Sequence, residues 1–260
     1  MFGDAAAYER FMGRWSARLA PGFLDSVLGD APGDGPGTVL DVGCGTGNLA
    51  AEVLARWPRT HVVAIDPSPP FVAAARERLV PGRARVQVGS ALQLPEARGT
   101  VDAALALLVL NFLPDPARGA TEMRRVTRAG GVVGAAVWDY GGGMAMLRTY
   151  WDAAATVHPG AGAVDEALAR PARAGGVEAL FHGAGLEDVG GGLLEVPMLF
   201  ETFDDYWDPF LLGIGPAGDF TRELDDGGRE ALRAELHRRL GDGPVEMTSV
   251  ARWVRGVVPG

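Results

Sequence analysis

The stretch Val39–Ala50, VLDVGCGTGNLA, runs from an apolar strand through a glycine-rich loop into the start of a helix. The loop carries Gly43, Gly45 and Gly47 at alternate positions. Glycine lets the backbone take a positive φ and approach a ligand closely, and the first turn of a helix presents free N–H groups. We therefore predict that this loop binds a nucleotide or nucleoside at the edge of a parallel sheet.

Two features separate this loop from a dinucleotide-binding loop. Asn48 stands where the pattern G-x-G-x-x-G has its third glycine. Asp41 lies at the carboxyl end of the strand, where its carboxylate would repel a pyrophosphate by about 1–4 kcal/mol at a distance of about 4 Å. Because the same carboxylate attracts an ammonium group, the loop favours a nucleoside that carries a cation.

A second carboxylate, that of Asp66, follows the strand predicted over residues 61–65. At this position it can accept hydrogen bonds from both hydroxyls of a ribose. The alternative is that its charge favours the start of the next helix. Cys44, the only cysteine, has no identified activating partner. We interpret Cys44 as a small residue at a crowded turn that faces the ligand with its backbone.

Strand and helix patterns alternate along the first 140 residues, which predicts an α/β fold with a mostly parallel sheet and helices on both faces. The predicted strands span residues 39–42, 61–65, 85–88, 101–106, 132–138, 193–200 and 245–257. The predicted helices include an amphipathic helix over residues 1–20 and others over residues 48–57, 70–79, 115–127 and 228–240.

With these motifs the chain resembles the class I S-adenosylmethionine (SAM)-dependent methyltransferases, specifically the type 11 small-molecule branch. The resemblance covers residues 5–140 motif by motif and the remainder by layout. It implies a Rossmann-like sheet with an antiparallel last strand, an N-terminal helical lid, a helical substrate cover, SAM as cofactor and S-adenosylhomocysteine as product. The matching motifs are VLDVGCGTGNLA, VVAIDPSPPFVAAARERL, VQVGSALQLP, VDAALALLVLNFLPD and RRVTRAGGVVGAAVWD.

The resemblance also implies which residues contact the cofactor. Asp41, Gly43, Cys44, Gly45 and Gly47 would surround its methionine and ribose parts, Asp66 would hold the ribose hydroxyls, and Pro67, Ser90, Ala91 and Leu92 would line the adenine. Leu107 would offer its backbone to the ammonium group, and Tyr8, Met12 and Trp15 would close over the cofactor. Many relatives carry an acid where this chain has Ser90, whose hydroxyl accepts without charge.

The layout predicts a single methyltransferase domain over residues 1–260. A helical cap occupies residues 1–36, and the SAM-binding core occupies residues 37–139. Residues 140–185 and 201–242 are predicted to be insertions that cover the substrate. Two late strands fall within residues 186–200 and 243–258.

The density of aromatic residues in the covering segments indicates an apolar or aromatic acceptor. Methyl transfer from SAM depends mainly on proximity and alignment, and a base is needed only if the nucleophile stays protonated. The acceptor atom, oxygen, nitrogen or carbon, is therefore open. The candidate substrate-binding residues are Trp138, Trp151, Tyr206 and Trp207, and the candidate catalytic residues are His158, Asn111 and Tyr140, each of which could instead be structural.

Composition excludes some function classes and disfavours others. The net charge is −9 and no basic stripe is visible, which argues against a nucleic-acid partner. The chain contains no lysine, so Schiff-base and P-loop lysine chemistry are excluded. A single cysteine and four histidines without ligand spacing predict no metal site. The absence of a signal peptide and of a long apolar run predicts a cytoplasmic protein without membrane contact, either a monomer or a homodimer.

Three functions remain after these observations. The first is methyl transfer from SAM to a small molecule, with a natural-product intermediate as one candidate. The second is binding of SAM without methyl transfer. The third is a Rossmann oxidoreductase that uses NAD(P) or flavin, which Asp41 and the glycine spacing disfavour.

Overall fold

The computed structural model describes residues 4–29, 33–161, 165 and 175–260. Its centre is a seven-stranded sheet with the order β3-β2-β1-β4-β5-β7-β6. The strands are β1 Thr38–Val42, β2 His61–Asp66, β3 Ala84–Val88, β4 Val101–Leu107, β5 Thr127–Trp138, β6 Glu187–Phe200 and β7 Val245–Val257. Strand β7 pairs antiparallel with both of its neighbours, and β1 to β5 are parallel. The predicted Rossmann-like sheet with an antiparallel last strand is confirmed.

Ten α-helices lie in the part of the chain that the structure describes. They are α1 Ala5–Tyr8, α2 Arg14–Leu28, α3 Asn48–Arg56, α4 Pro69–Arg78, α5 Pro116–Val126, α6 Ala145–Val157, α7 Gly176–Gly183, α8 Phe203–Trp207, α9 Gly215–Glu223 and α10 Asp226–Leu240. A π-helical turn, Glu9–Gly13, separates α1 from α2. None of these helices is both long and apolar enough to span a bilayer.

The structure differs from the sequence expectations at three places. The strand predicted over residues 193–200 begins at Glu187, because residues 187 and 190–192 already pair with β7. The helix predicted over residues 1–20 is instead α1, the π-turn and α2, because the side chain of Glu9 folds over Gly13, where a Cβ would lie 2.5 Å from the Cδ of Glu9. The strand predicted to begin at residue 132 begins at Thr127, because Gly130 bends the chain with a φ of +69° and donates to the Val258 oxygen at 2.9 Å. Residues 1–3 and 30–32 and most of 162–174 lie outside the described residues, with parts of the predicted cap and covering segment.

Both faces of the sheet are buried, which explains why its central strands are apolar along nearly their whole length. Successive side chains of a strand point to opposite faces. Val39 therefore packs on the face covered by α2, α3 and α4, whereas Leu40 and Val42 pack on the face covered by α5 and α7. The two layers hold the carboxyl ends of the parallel strands along one edge.

The covering helices α6, α8, α9 and α10 pack around buried aromatic side chains. Tyr150 stacks on Phe210 with ring centroids 4.4 Å apart, and its hydroxyl donates to the Ala217 oxygen at 2.9 Å. The hydroxyl of Tyr206 donates to the Met146 oxygen, also at 2.9 Å. Because both hydroxyls already donate to backbone oxygens inside a packed core, these two tyrosines have a structural role.

Replacing Tyr206 by phenylalanine will therefore lower the free energy of unfolding by about 1–3 kcal/mol, because the buried Met146 oxygen loses its side-chain donor. Urea denaturation of the variant and the wild type measures this difference. Unchanged stability together with a changed affinity for a small-molecule acceptor would contradict the structural role.

Candidate functional site

A cavity of about 710 Å³ opens at the carboxyl ends of the parallel strands, within the size range of small-molecule sites. A second space of about 20 Å³ adjoins it behind the glycine loop, and Tyr8, Gly43, Gly45 and Leu107 line both. The larger cavity is also lined by Phe11, Met12, Asp66, Pro67, Ser68, Pro69, Pro70, Phe71, Ser90, Ala91, Leu92, Leu108, Val109, Phe112, Leu113, Pro114, Trp138, Tyr140, Leu147, Gly215 and Pro216.

The glycine loop is held close to β2. The N–H groups of Gly43 and Cys44 both donate to the Ile65 oxygen, at 2.7 and 2.9 Å. Gly43 has a φ of +71°, and a Cβ at this position would lie 2.6 Å from the side chain of Val109. Gly47, with a φ of +89°, leads into α3. Only glycine fits at Gly43, so the loop turns its bare backbone toward the cavity.

Asp66 lies at the end of β2 and lines the larger cavity. Its two carboxylate oxygens accept from the N–H groups of Gly45 at 2.9 Å and Ser68 at 2.8 Å. Burial raises the pKa of this carboxyl, while the two N–H groups act against the rise. Each oxygen keeps a lone pair for a hydroxyl. The geometry thus accommodates the predicted contact with a ribose as well as the alternative role beside the start of α4.

Asp41 is 1% exposed and lines the small space behind the loop. One of its oxygens accepts from the N–H of Ala50 at 3.1 Å. Burial raises the pKa of Asp41 to about 7; the N–H of Ala50 acts against this rise and the charge of Asp66 adds to it. A buried carboxylate without a cation is costly. An ammonium group in the small space would provide that cation, so these residues fit the methionine part of SAM.

Cys44 lies beside these two carboxyl groups and is buried. Burial and the charges of Asp41 and Asp66 raise the pKa of its thiol far above the usual range. A thiol that stays protonated at neutral pH is a poor nucleophile. The environment of Cys44 therefore suits a small residue in a tight turn.

The adenine-side residues predicted from the sequence come together along one wall. Pro67, Ser90, Ala91 and Leu92 all line the larger cavity. The hydroxyl of Ser90 accepts from the N–H of Leu92 at 3.2 Å, which uses part of its capacity as an acceptor. Leu108, which follows β4, has a φ of +63°, and a non-glycine residue in this conformation often marks a functional site.

The N-terminal segment forms the roof, and a contact that sequence reasoning missed anchors it. Tyr8 and Met12 line the cavity as predicted, together with Phe11. One carboxylate oxygen of Glu9 accepts from the hydroxyl of Thr46 and from the amide of Asn48, the latter at 3.2 Å. The other lies 3.3 Å from a guanidinium nitrogen of Arg78. These residues, named here the Glu9 cluster, join the π-turn to the glycine loop, α3 and α4.

Trp15 is not in the roof. Its side chain is fully buried and packs edge-on against Phe200 of β6, with ring centroids 5.1 Å apart. The prediction that Trp15 closes over the cofactor is at odds with this position, because Trp15 belongs to the apolar stripe that α2 presents to the sheet.

Two of the acceptor-side candidates, Trp138 and Tyr140, line the cavity. The indole nitrogen of Trp138 donates to the sulfur of Met12 at 3.2 Å, which joins the roof to the end of β5. The remaining candidates lie outside the lining: Trp151, Tyr206 and Trp207 are buried in the aromatic core, and Asn111 lies in the 3₁₀ turn Leu110–Phe112.

His158 also lies away from the cavity. It follows the end of α6, where its Nε2 is 3.2 Å from the Gly228 oxygen. Its ring contacts Phe220 edge-on at 6.0 Å. The expectation that His158 faces a substrate does not match this position, because α10 packs over the imidazole.

Sequence reasoning missed much of the acceptor side. The missed residues share an apolar side chain and come from segments far apart in the chain: Phe11, Phe71, Val109, Phe112, Leu113, Leu147 and Pro216. Phe112 and Leu113 stand in the quoted fourth motif, beside Asn111. The two apolar residues that follow Asn111 in this motif were therefore the signal from which an acceptor wall could have been predicted.

The raised pKa of Asp41 has a consequence for stability. The pKa of Asp41 is about 7 in the folded protein and 3.8 ordinarily, so ionisation costs more in the folded state. The stability contribution of this carboxyl is therefore complete below about pH 4 and is lost as the pH rises to about 7. Asp41→Asn will therefore make the ligand-free protein more stable than the wild type at pH 8, by up to about 4 kcal/mol. Urea denaturation at pH 5 and pH 8 measures the difference.

Asp102 provides a control of opposite sign. Burial acts to raise its pKa, but hydrogen bonds from Arg128 and from the N–H of Thr38 lower it overall. Its stabilising contribution is present above about pH 4 and is lost as the pH falls. Asp102→Asn should therefore destabilise the protein at pH 8. A gain in stability for both variants would show that burial of Asp41 is not the cause.

Glu9→Gln will loosen the roof, because the neutral amide loses its charge-assisted contacts with Arg78 and Thr46. We expect amide hydrogen exchange over residues 5–13 to become at least threefold faster, with no change in β4. Glu77→Gln, an exposed acid next to Arg78 in the chain, is the matched control. Equal exchange in both variants would mean that the Glu9 cluster does not hold the roof.

Comparisons with known proteins agree with the site. A family model described as a methyltransferase domain matches residues 39–131. The trans-aconitate 2-methyltransferase of Azoarcus sp. is 37% identical over 107 residues, which span 41% of this chain and only 41% of that relative. An uncharacterised protein of Mycobacterium bovis is 31% identical over 230 residues, which span 85% of this chain and 79% of that protein.

The fold is also found among solved structures. Haemonchus contortus phosphoethanolamine N-methyltransferase 2, solved in complex with SAM, aligns with a TM-score of 0.61 at 15% identity, over 98% of this chain and 57% of that chain. At this identity the likeness concerns the fold. With the matched domain and the long Mycobacterium alignment, it agrees with the predicted class I methyltransferase family, and the type 11 branch stays a prediction. The chain belongs to the class I SAM-dependent methyltransferases.

Proposed function

We propose that this protein transfers a methyl group from SAM to an oxygen, nitrogen or carbon atom of a small apolar or aromatic molecule bound in the 710 Å³ cavity. One observation carries the proposal. The cavity is continuous from the glycine loop and Asp66 to an apolar wall that includes Trp138 and Phe112. A cofactor against the loop and an acceptor against that wall would share one cavity.

Each part of the site has a proposed task. The carboxylate of Asp41 would hold the ammonium group in the small space, and Asp66 would hold the ribose hydroxyls. Bound there, SAM supplies a methyl group that is already activated for in-line displacement. The roof residues Tyr8, Phe11 and Met12 would exclude water and align the two reactants, and alignment can supply a large part of the rate enhancement.

The domain organisation predicted from the sequence is retained as part of the proposal. Residues 1–36 act as the cap, residues 37–139 as the cofactor-binding core, and residues 140–185 and 201–242 as the acceptor cover. Of the catalytic candidates, Tyr140 is supported by its place in the lining. Its hydroxyl could orient an acceptor atom through a hydrogen bond.

Trans-aconitate is a second candidate acceptor, since it is the substrate named for the Azoarcus relative. That similarity covers less than half of either chain. The apolar lining favours an acceptor with an aromatic ring, and a natural-product intermediate is one candidate of this kind. The family motif alone also permits SAM binding without methyl transfer, so methyl incorporation has to be measured across an acceptor panel. The buried carboxyl group of Asp41 and the spacing of the glycines disfavour a dinucleotide-dependent oxidoreductase.

Calorimetric titration of the protein with SAM, S-adenosylhomocysteine and NADH tests the cofactor. We expect binding of the first two, and a loss of at least tenfold in SAM affinity for Asp66→Ala, because the ribose loses a charged acceptor. Cys44→Ala is the matched control and should keep both the affinity and any methyl transfer. Tight NADH binding without a response to SAM would overturn the proposed function. An Asp66→Ala affinity within twofold of the wild type would overturn the ribose assignment alone.

A further inference from the structure

One group of residues in the cavity lining has a consistent chemical character. Its members come from the roof, the turn after β4, the residues after β5, and helices α6 and α9. We name this part of the lining the acceptor chamber, and its residues are Phe11, Phe112, Leu113, Tyr140, Leu147 and Pro216. Apart from the hydroxyl of Tyr140, these side chains are apolar.

Apart from tyrosines, Asp66 is the one residue with an ionisable side chain among the described residues that line the whole cavity. It lies on the cofactor side, next to the buried Asp41. None of the lining residues is an arginine or a histidine. The fixed charge that a bound molecule meets is therefore negative.

Two arginines beside the lining or in contact with it are already paired, and Arg10, which precedes Phe11, is exposed and outside the lining. Arg148 follows Leu147 in α6, and its guanidinium donates to the carboxylate of Asp165 at 2.6 Å and to the Tyr140 oxygen at 3.5 Å. Arg118 donates to the Leu92 oxygen at 2.7 Å. Both guanidinium groups thus serve the protein's own acceptors.

An anionic acceptor would meet unfavourable conditions in this chamber. It would lose its hydration without gaining a cation or a set of N–H donors from the described lining, and burying an unpaired charge is costly. The carboxylates of Asp66 and Asp41 would add repulsion. A neutral ring of the same size loses little hydration and gains contact with apolar and aromatic side chains.

We propose that the acceptor binds as an uncharged molecule, that the acceptor chamber rejects anions of the same shape, and that Phe112 contributes to this selection. The proposal rests on the proposed function for the identity of the site. It separates this chain from the trans-aconitate methyltransferases to which part of it is similar, because trans-aconitate carries several carboxylates at neutral pH. Among the described residues of the lining no side chain is cationic, so a single introduced cation can reverse the selection by charge.

A matched pair of fluorescent probes tests the selection. N-phenyl-1-naphthylamine and 8-anilinonaphthalene-1-sulfonate share one aromatic skeleton, and only the second carries a sulfonate. We expect the wild type to bind the neutral probe at least tenfold more tightly than the anionic one. The titrations are made with the ligand-free protein and repeated with S-adenosylhomocysteine present, so they do not depend on cofactor binding or on methyl transfer.

Phe112→Arg places a cation in the chamber, and because Phe112 is 38% exposed, the arginine can be accommodated at the chamber mouth. We expect this variant to reduce the preference for the neutral probe at least tenfold. Leu193→Arg, at a leucine of β6 that is 56% exposed and outside the lining, should leave the preference unchanged. Leu113→Arg serves as the second variant if circular dichroism shows that Phe112→Arg is not folded.

Equal or tighter binding of the anionic probe to the wild type, displaced by the neutral probe, would overturn the proposal. A preference that is the same in the wild type and in folded Phe112→Arg and Leu113→Arg would overturn the role of the chamber in charge selection. Either result would leave the proposed function standing if SAM binds in the calorimetric titration. A failure of SAM binding would instead overturn the proposed function, whatever the probes show.

Discussion

A single backbone oxygen, that of Ile65, fixes the geometry on which the whole site depends. It accepts from the N–H groups of Gly43 and Cys44, so the loop after β1 is drawn against the end of β2. Asp66, the next residue in β2, then meets the N–H of Gly45. Hydrogen bonds to two consecutive residues of β2, Ile65 and Asp66, thus bring the glycine loop and the carboxylate of Asp66 to the small space that holds Asp41.

The roof depends on the same loop. Glu9 contacts Thr46 and Asn48, which flank Gly47 in the chain, so the N-terminal segment is positioned by the residues that also shape the cofactor space. The indole of Trp138 makes a second attachment through Met12. The glycine loop and the roof are therefore joined by direct contacts, so a change that moves the loop also moves the residues that cover it.

The sequence predicted the sheet, and it predicted that Asp41, Asp66 and the glycine loop meet at one edge of the sheet, because these signals are local. Apolar strands end in Asp41 and Asp66, and the glycines between them need no distant partner to be recognised. The Glu9 cluster could not be predicted, since its contacts join residues 30 or more positions apart. On the acceptor side, Trp151 and Tyr206 are the same kinds of residue as Trp138. Composition could not separate side chains that fill the core from those that line a cavity, because only the fold decides which aromatic ring meets open space.

The position of Trp138 gives the protein a built-in optical reporter. The chain has six tryptophans, and Trp138 is the one that lines the cavity, with the sulfur of Met12 as its hydrogen-bond partner. Indole emission depends on local polarity and on nearby quenching groups, so occupancy of the cavity should alter the light from this residue while the other five indoles stay in constant surroundings. The time course of ligand entry can then be followed in a stopped-flow instrument without attaching a dye.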